Sequence, residues 1–190
     1  MSRSAAVARS VPRKARAQVV AFAKSHRGGV VKVGAKRGNP AALAGKFARP
    51  SFERMIHLEP MERVAMAKAG LSAAALPAFA ERMGVSNEWL FSRLGLASAT
   101  IGRKLRADSP LSTEEGARTL GLARLIGLAQ SIVEESGDPA GFNPAAWVAR
   151  WLEQPLPALG GAAPAHLMDT SEGQAIVAAL LEQIRHGTYA

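Results

Sequence analysis

From Leu58 onward, apolar residues recur every three or four positions in short runs punctuated by glycine. That spacing predicts amphipathic helices over Pro60–Ala69, Ala73–Met83, Asn87–Leu94 and Ala99–Ala107, then a longer helix from about Thr113 to Glu135. The long one opens with STEE, in which Ser112 can cap and the carboxylate of Glu115 can reach back to the N–H of the cap residue. After Ser136-Gly137 the pattern breaks. It resumes in FNPAAWVARWLEQP, with Asn143 as cap, Pro144 at the first helical position, Trp147 and Trp151 four apart on one face, and Pro155 as terminator.

The last segment, LGGAAPAHLMDTSEG, leads into a helix from Ser171 to about Arg185. Gly160-Gly161 can supply positive φ, and Pro164 stiffens the exit. Asp169 reads as the cap with Glu172 in the reciprocal position. A helical wheel gathers Ile176, Val177, Leu180, Leu181 and Ile184 into an apolar stripe, with Gln174, Ala178, Glu182 and Arg185 opposite. Gly173 lies under the stripe, where glycine disfavours a helix unless another backbone packs closely on it. Gly187 reads as the residue just past the C-cap. The fold class is all-α.

Charge separates this region from what precedes it. Residues 1–54 carry 13 Lys or Arg against a single acid, Glu53, whereas residues 55–190 carry 11 bases and 14 acids. The net +9 therefore belongs to an extension, of a kind that binds polyphosphate surfaces by counterion release. Within it only Ala15–Lys24 has the pattern of a short helix; the mixture of bases with Gly and Pro over Ser10–Pro40 reads as largely disordered. An organellar transit peptide would need an amphipathic helix that Gly28-Gly29 and Gly34–Pro40 interrupt, and a biological start at Met55 or Met61 is an alternative. No apolar run reaches the roughly 18 residues that span a bilayer, and no secretory signal is visible. The absence of cysteine excludes disulfides and thiolate sites. These features fit a cytoplasmic protein with no membrane association.

Two overlapping stretches have the spacing of a helix-turn-helix: Ala80, Gly84 and Leu90, and Phe91, Gly95 and Ile101. Spacing does not choose between them; charge favours the second. In the first, the reading helix SNEWLFSRL carries Glu88, Trp89 and one arginine, Arg93. In the second, SATIGRKLRA places Ile101 and Leu105 on one face and Ala99, Thr100, Arg103 and Arg106 on the other. Ser98 would cap this helix, and Ser98, Thr100, Arg103, Lys104 and Arg106 are the candidate DNA contacts. The competing reading is that the three cations solvate a helix C-terminus, where they also suit its dipole.

Catalytic chemistry is poorly supported. Asp169 reads more simply as a cap, and His166 has no evident second ligand. His26, His57 and His186 lack metal-ligand spacing. A hydrolase built on His166 and Asp169 is therefore set aside, and no cofactor or metal is expected.

The span ARWLEQPLPALGGAAPAHLMDTSEGQAIVAALLEQIRHGTYA resembles the toxin-binding domain of the Xre/MbcA/ParS antitoxins. The matching residues are Trp151, Leu152, Pro155, Leu159, Gly160, Gly161, Pro164, Leu167, Asp169, Thr170, Gly173, Ile184 and Gly187. Upstream, LGLASATIGRKLRAD followed by LSTEEGARTLGLARLIGLA resembles the family's Xre-type region. Ala162-Ala163 and Met168 depart mildly from the pattern, and the basic extension lies outside it. The resemblance implies an antitoxin paired with a RES-domain toxin that destroys NAD. Its C-terminal domain would cover the toxin's active-site entrance, while the Xre region dimerises and represses the operon. It divides the chain into a basic extension (1–54), a helix-turn-helix and dimerisation region (55–137) and a toxin-binding domain (138–190). Gly160, Gly161, His166, Arg185, His186 and Tyr189 are the expected toxin-facing residues, and the helix's larger apolar residues build the domain's own core. The alternative is a helix-turn-helix regulator without a toxin, whose C-terminal domain only dimerises.

Overall fold

The computed structural model describes residues 48–136 and 140–186, with the side chain of the last excepted. The expected helix Ala15–Lys24, Gly187 and Tyr189 lie outside the described residues. Eight α-helices are present among them: α1 (Phe52–Ile56), α2 (Pro60–Ala69), α3 (Ala75–Met83), α4 (Asn87–Arg93), α5 (Ser98–Arg106), α6 (Thr113–Glu135), α7 (Pro144–Leu152) and α8 (Ser171–His186). Two 3-10 turns, Pro157–Leu159 and Pro164–Leu167, join α7 to α8. Extended pairing within the described residues is confined to isolated bridges, Ala48 with Leu71 and Ser72 with Pro110.

Local chemistry sets most of the boundaries. The α6 capping box forms as the sequence predicts: the Glu115 N–H donates to Ser112 Oγ at 3.2 Å and the Ser112 N–H to Glu115 Oε2 at 2.6 Å. Asn143 caps α7 by accepting the Ala146 N–H at 3.0 Å. Two expected starts shift. Ala73 and Ala74 form a turn, so α3 begins at Ala75. Ser98 does not cap α5 but is its first residue, following Ala97 in extended backbone with no side-chain cap. The reason lies upstream. Gly95 takes φ +60°, and the Leu96 N–H donates to Phe91 O at 2.8 Å, which closes α4 and buries Leu96.

Helix α6 is the axis of the molecule. It packs against α1, α2, α7 and α8, and its buried Leu120, Leu122, Ala123, Leu125, Ile126 and Ala129 join residues from all of them in one continuous core. Two of its glycines permit backbone-close approach. A Cβ on Gly127 would stand 2.0 Å from the carbonyl oxygen of Ile56, and one on Gly121 would stand 1.8 Å from Gln174 Oε1. The expected 54/55 boundary falls inside α1, and the chain is already in the core at Ala48. On the other side, α7 packs on α3 as well as on α6, stacking Trp147 and Trp151 with centroids 5.7 Å apart. The C-terminal helices thus share their hydrophobic core with the helices before them.

Candidate functional site

Both helix-turn-helix spacings are realised in the backbone: Gly84 and Gly95 each take left-handed φ, and Leu90 and Ile101 are each fully buried. What separates them is access. In α4, Arg93 is engaged by the C-terminal region, its Nε and Nη2 donating to the Glu153 carboxylate at 2.9 and 3.2 Å. Helix α5 buries Ile101 and half-buries Leu105, and leaves Ser98, Ala99, Arg103 and Arg106 exposed with Thr100 beside them. Arg103 donates to Thr100 Oγ1 at 3.3 Å, which holds two polar groups together on that face.

Lys104 does not share it. Its ammonium pairs with Glu115, the same carboxylate that closes the α6 capping box, and both side chains are largely buried. Burial alone would push the Glu115 carboxyl up; hydrogen bonds from Lys104 and Ser112, with the Lys104 charge, hold it below its ordinary value. Lys104 therefore fastens α5 to α6.

The 156–162 segment is a closed loop. The Leu156 N–H donates to Ala162 O and the Gly161 N–H to Leu156 O, each at 3.0 Å. Gly160 and Gly161 take φ of +64° and +88°, are exposed, and would meet nothing within 4 Å if a Cβ were added. Glycine is needed there for backbone shape alone. His166, on the second 3-10 turn, is exposed and makes no side-chain hydrogen bond to the described residues. Met168 is buried, so its departure from the family pattern keeps the core apolar.

The start of α8 corrects the capping assignment. Thr170, not Asp169, is the cap: its Oγ1 accepts the Gly173 N–H at 3.1 Å. A Cβ on Gly173 would lie 2.0 Å from Leu167 O, the close backbone approach that a glycine under the stripe implies. The buried arc of α8 is also rotated from the one drawn on the wheel. Gln174 and Ala178 are buried with Val177, Leu181 and Ile184, whereas Ile176 is 50 % exposed. Gln174 turns inward because it has partners: its Nε2 donates to Arg118 O at 3.0 Å and to Met168 O at 2.9 Å.

Arg118, on α6, links the two candidate surfaces. Its Nη1 donates to Leu94 O at 2.9 Å and Gly95 O at 3.0 Å, in the turn before α5, and to Asp169 O at 3.1 Å, just before α8. A Cβ on Gly95 would stand 2.8 Å from that nitrogen and 2.9 Å from the Asp169 Cβ, so the turn and the lead-in to α8 are pressed together. Sequence reasoning gave Arg118 no role and put Gln174 on the outer face, since the carbonyls that Arg118 holds, and the Arg118 carbonyl that Gln174 holds, are remote in the chain.

Arg185 sits at the other end of α8. It pairs with Glu135 at the end of α6, its Nε donating to Oε2 at 3.0 Å, and with Glu182 at 3.6 Å. The hydrogen bonds with Glu135 raise its already high pKa further. Gln174 beside Arg118 and Arg185 beside Glu135 make α8 run parallel to α6, so Arg185 and the backbone of His186 lie several turns from His166. Among the described residues, the expected toxin-facing positions therefore fall into two groups, His166 near the start of α8 and Arg185 at its end. No group of three or more His, Asp or Glu suited to a metal occurs among the described residues. Nor is any described helix long and apolar enough to cross a membrane.

Comparison with known proteins agrees with this layout. Residues 62–124 match the antitoxin Xre-like helix-turn-helix domain, and residues 132–187 match the antitoxin Xre/MbcA/ParS C-terminal toxin-binding domain. A relative from Sphingobium sp. (strain YBL2), described as a Prs ADP-ribosylating antitoxin, is 42 % identical over 147 residues, covering 77 % of this chain and 92 % of the relative.

Proposed function

The chain belongs to the Xre/MbcA/ParS antitoxin family, and from that premise we propose that it binds and occludes a RES-domain toxin that consumes NAD and represses its own operon through α5. The observation that carries the first half is the internally hydrogen-bonded 156–168 segment. Its shape is set before any partner arrives, which lowers the ordering cost of binding. Gly160, Gly161 and His166 would meet the toxin at this end, with Arg185 contributing from the other; His186 and Tyr189 are further proposed contacts.

Occlusion requires no chemistry from the antitoxin, so it acts without catalysis, cofactor or metal. The name of the Sphingobium relative mentions ADP-ribosylation. Transfer of ADP-ribose and hydrolysis of NAD both break the nicotinamide–ribose bond, and either activity suits the proposed partner. For repression, Ser98, Thr100, Arg103 and Arg106 would face the major groove, with Lys104 setting the angle of α5. A homodimer would present two such helices to a pseudo-palindromic operator in the cytoplasm.

The test is to locate a RES-type reading frame neighbouring this gene and to co-express the two, following growth and cellular NAD. The wild-type chain restores both, and His166→Glu at the 3-10 turn restores them less. If the wild-type chain does not neutralise that toxin, the assignment fails and the toxin-free regulator takes its place.

A further inference from the structure

Outside these surfaces, a cavity of about 190 Å3 opens between α2, α6 and α8. Its walls include Arg63 and Val64 from α2, Gly121 and Arg124 from α6, and Ser171 and Ala175 from α8. Arg63 is anchored, its Nη1 donating to Leu58 O. Arg124 is half-buried and makes no hydrogen bond or ion pair with the described residues. The two cations feel each other: burial first, and then the charge of Arg124, lower the Arg63 pKa from its ordinary value.

The groove is also apolar at its edge. Val64 is 47 % exposed, and Met61, one turn earlier on α2, is 77 % exposed; these are large hydrophobic side chains facing water. A pair of like charges, one without a counterion, beside exposed aliphatic surface is complementary to a carboxylate presented by a protein. A nucleic-acid backbone offers phosphate but nothing to cover Val64 and Met61. The volume is below the roughly 300 Å3 at which small-molecule pockets begin, so it fits one side chain and excludes a dinucleotide. Its walls come from both matched regions, α2 and α6 from the first and α8 from the second.

We propose that this groove receives an acidic side chain of the cognate toxin, its carboxylate held between Arg63 and Arg124 and its neighbours packed on Val64 and Ala175. The proposal rests on the toxin-binding reading and adds a contact area that lies across the seam between the two matched regions.

Because the chain contains no cysteine, Met61→Cys, one turn from Val64 and outside the groove wall, supplies a single attachment point for an environment-sensitive fluorophore. The labelled full-length chain is titrated with a catalytically inactive form of the RES-domain toxin that this chain neutralises in co-expression. Unlabelled Arg124→Glu, Arg124→Gln and, as a charge control on α1, Arg54→Glu are titrated by calorimetry. Far-UV circular dichroism verifies that each is folded. The expected result is shielding of the label by toxin, an affinity loss of about thirtyfold or more for Arg124→Glu, a smaller loss for Arg124→Gln, and none for Arg54→Glu. Wild-type binding that persists undiminished in Arg124→Glu overturns the groove and leaves the antitoxin assignment standing. Failure of the wild-type chain to bind overturns both. Shielding that grows with the chain's own concentration assigns the groove to a second copy, and shielding by promoter DNA alone assigns it to phosphate; either result overturns the proposal.

Discussion

Replacing Arg118 by methionine keeps an unbranched stem, shorter by the guanidinium end, and removes every donor that this side chain supplies to the junction between the α4–α5 turn and the start of α8. Three carbonyls lose a partner: those of Leu94, Gly95 and Asp169. A charge-assisted hydrogen bond contributes about 1.5–3 kcal/mol. One nitrogen with two hydrogens cannot serve three acceptors at full strength, so a simple sum overstates the loss. The buried Nε has no partner among the described residues, and removing it returns part of its desolvation cost. The net expectation is about 2 kcal/mol of destabilisation, or about 4–8 °C in Tm for a chain of this length. Thermal and urea unfolding followed by circular dichroism measure it, and fluorescence anisotropy on promoter DNA reports whether α5 is still held at its angle. Arg118→Lys, which can satisfy part of the set, should fall between the two. A Tm loss below about 2 °C together with unchanged operator affinity would show that the junction is held by packing alone.

Thr170→Ala should cost about 1 kcal/mol and Asp169→Ala a few tenths at most, since only the Thr170 side chain caps α8; urea midpoints of the two variants decide this. Gly173→Ala forces a Cβ to within 2.0 Å of Leu167 O and should destabilise by about 1–3 kcal/mol despite alanine's higher helix propensity, as read by thermal melts. In salt titrations of operator binding, Arg103→Ala and Arg106→Ala should each reduce the slope by about one, whereas Lys104→Ala should lower Tm with little change in slope. The depressed pKa of Glu115 stabilises the fold above the ordinary glutamate value of about 4.3, and this contribution is lost as pH falls through the lower folded value. The stability difference between wild type and Glu115→Gln, from urea unfolding across that range, should accordingly shrink on acidification.

The elements that were legible in the sequence are those whose signals are local. The Ser112–Glu115 capping box, the Asn143-Pro144 start and the exposed face of α5 depend on residues within a turn or two of one another, and each stands in the structure as its residues imply. Gly173 was legible for a related reason, because a glycine under an apolar stripe already signals a close neighbour. The failures arise where a distant group decides. Gln174 looks polar and outward on a wheel, but the carbonyls of Arg118 and Met168 draw it inward and turn Ile176 out to solvent. Asp169 reads as the cap from the residue pattern, whereas in the structure the neighbouring Thr170 Oγ1 accepts the Gly173 N–H. The pairing of Arg185 with Glu135, 50 positions earlier, is likewise not visible on a helical wheel.

The shared core along α6 changes how a truncation can be interpreted. Removing α7 and α8 would not detach a self-contained unit. It would strip cover from the faces of α3 and α6 on which α7 and α8 pack, and leave Arg118 without one of its acceptors. A shortened chain that no longer recognises its promoter would be reporting a collapsed scaffold as readily as a missing contact. Roles at the two ends of this molecule are therefore best separated by single surface substitutions in the intact chain.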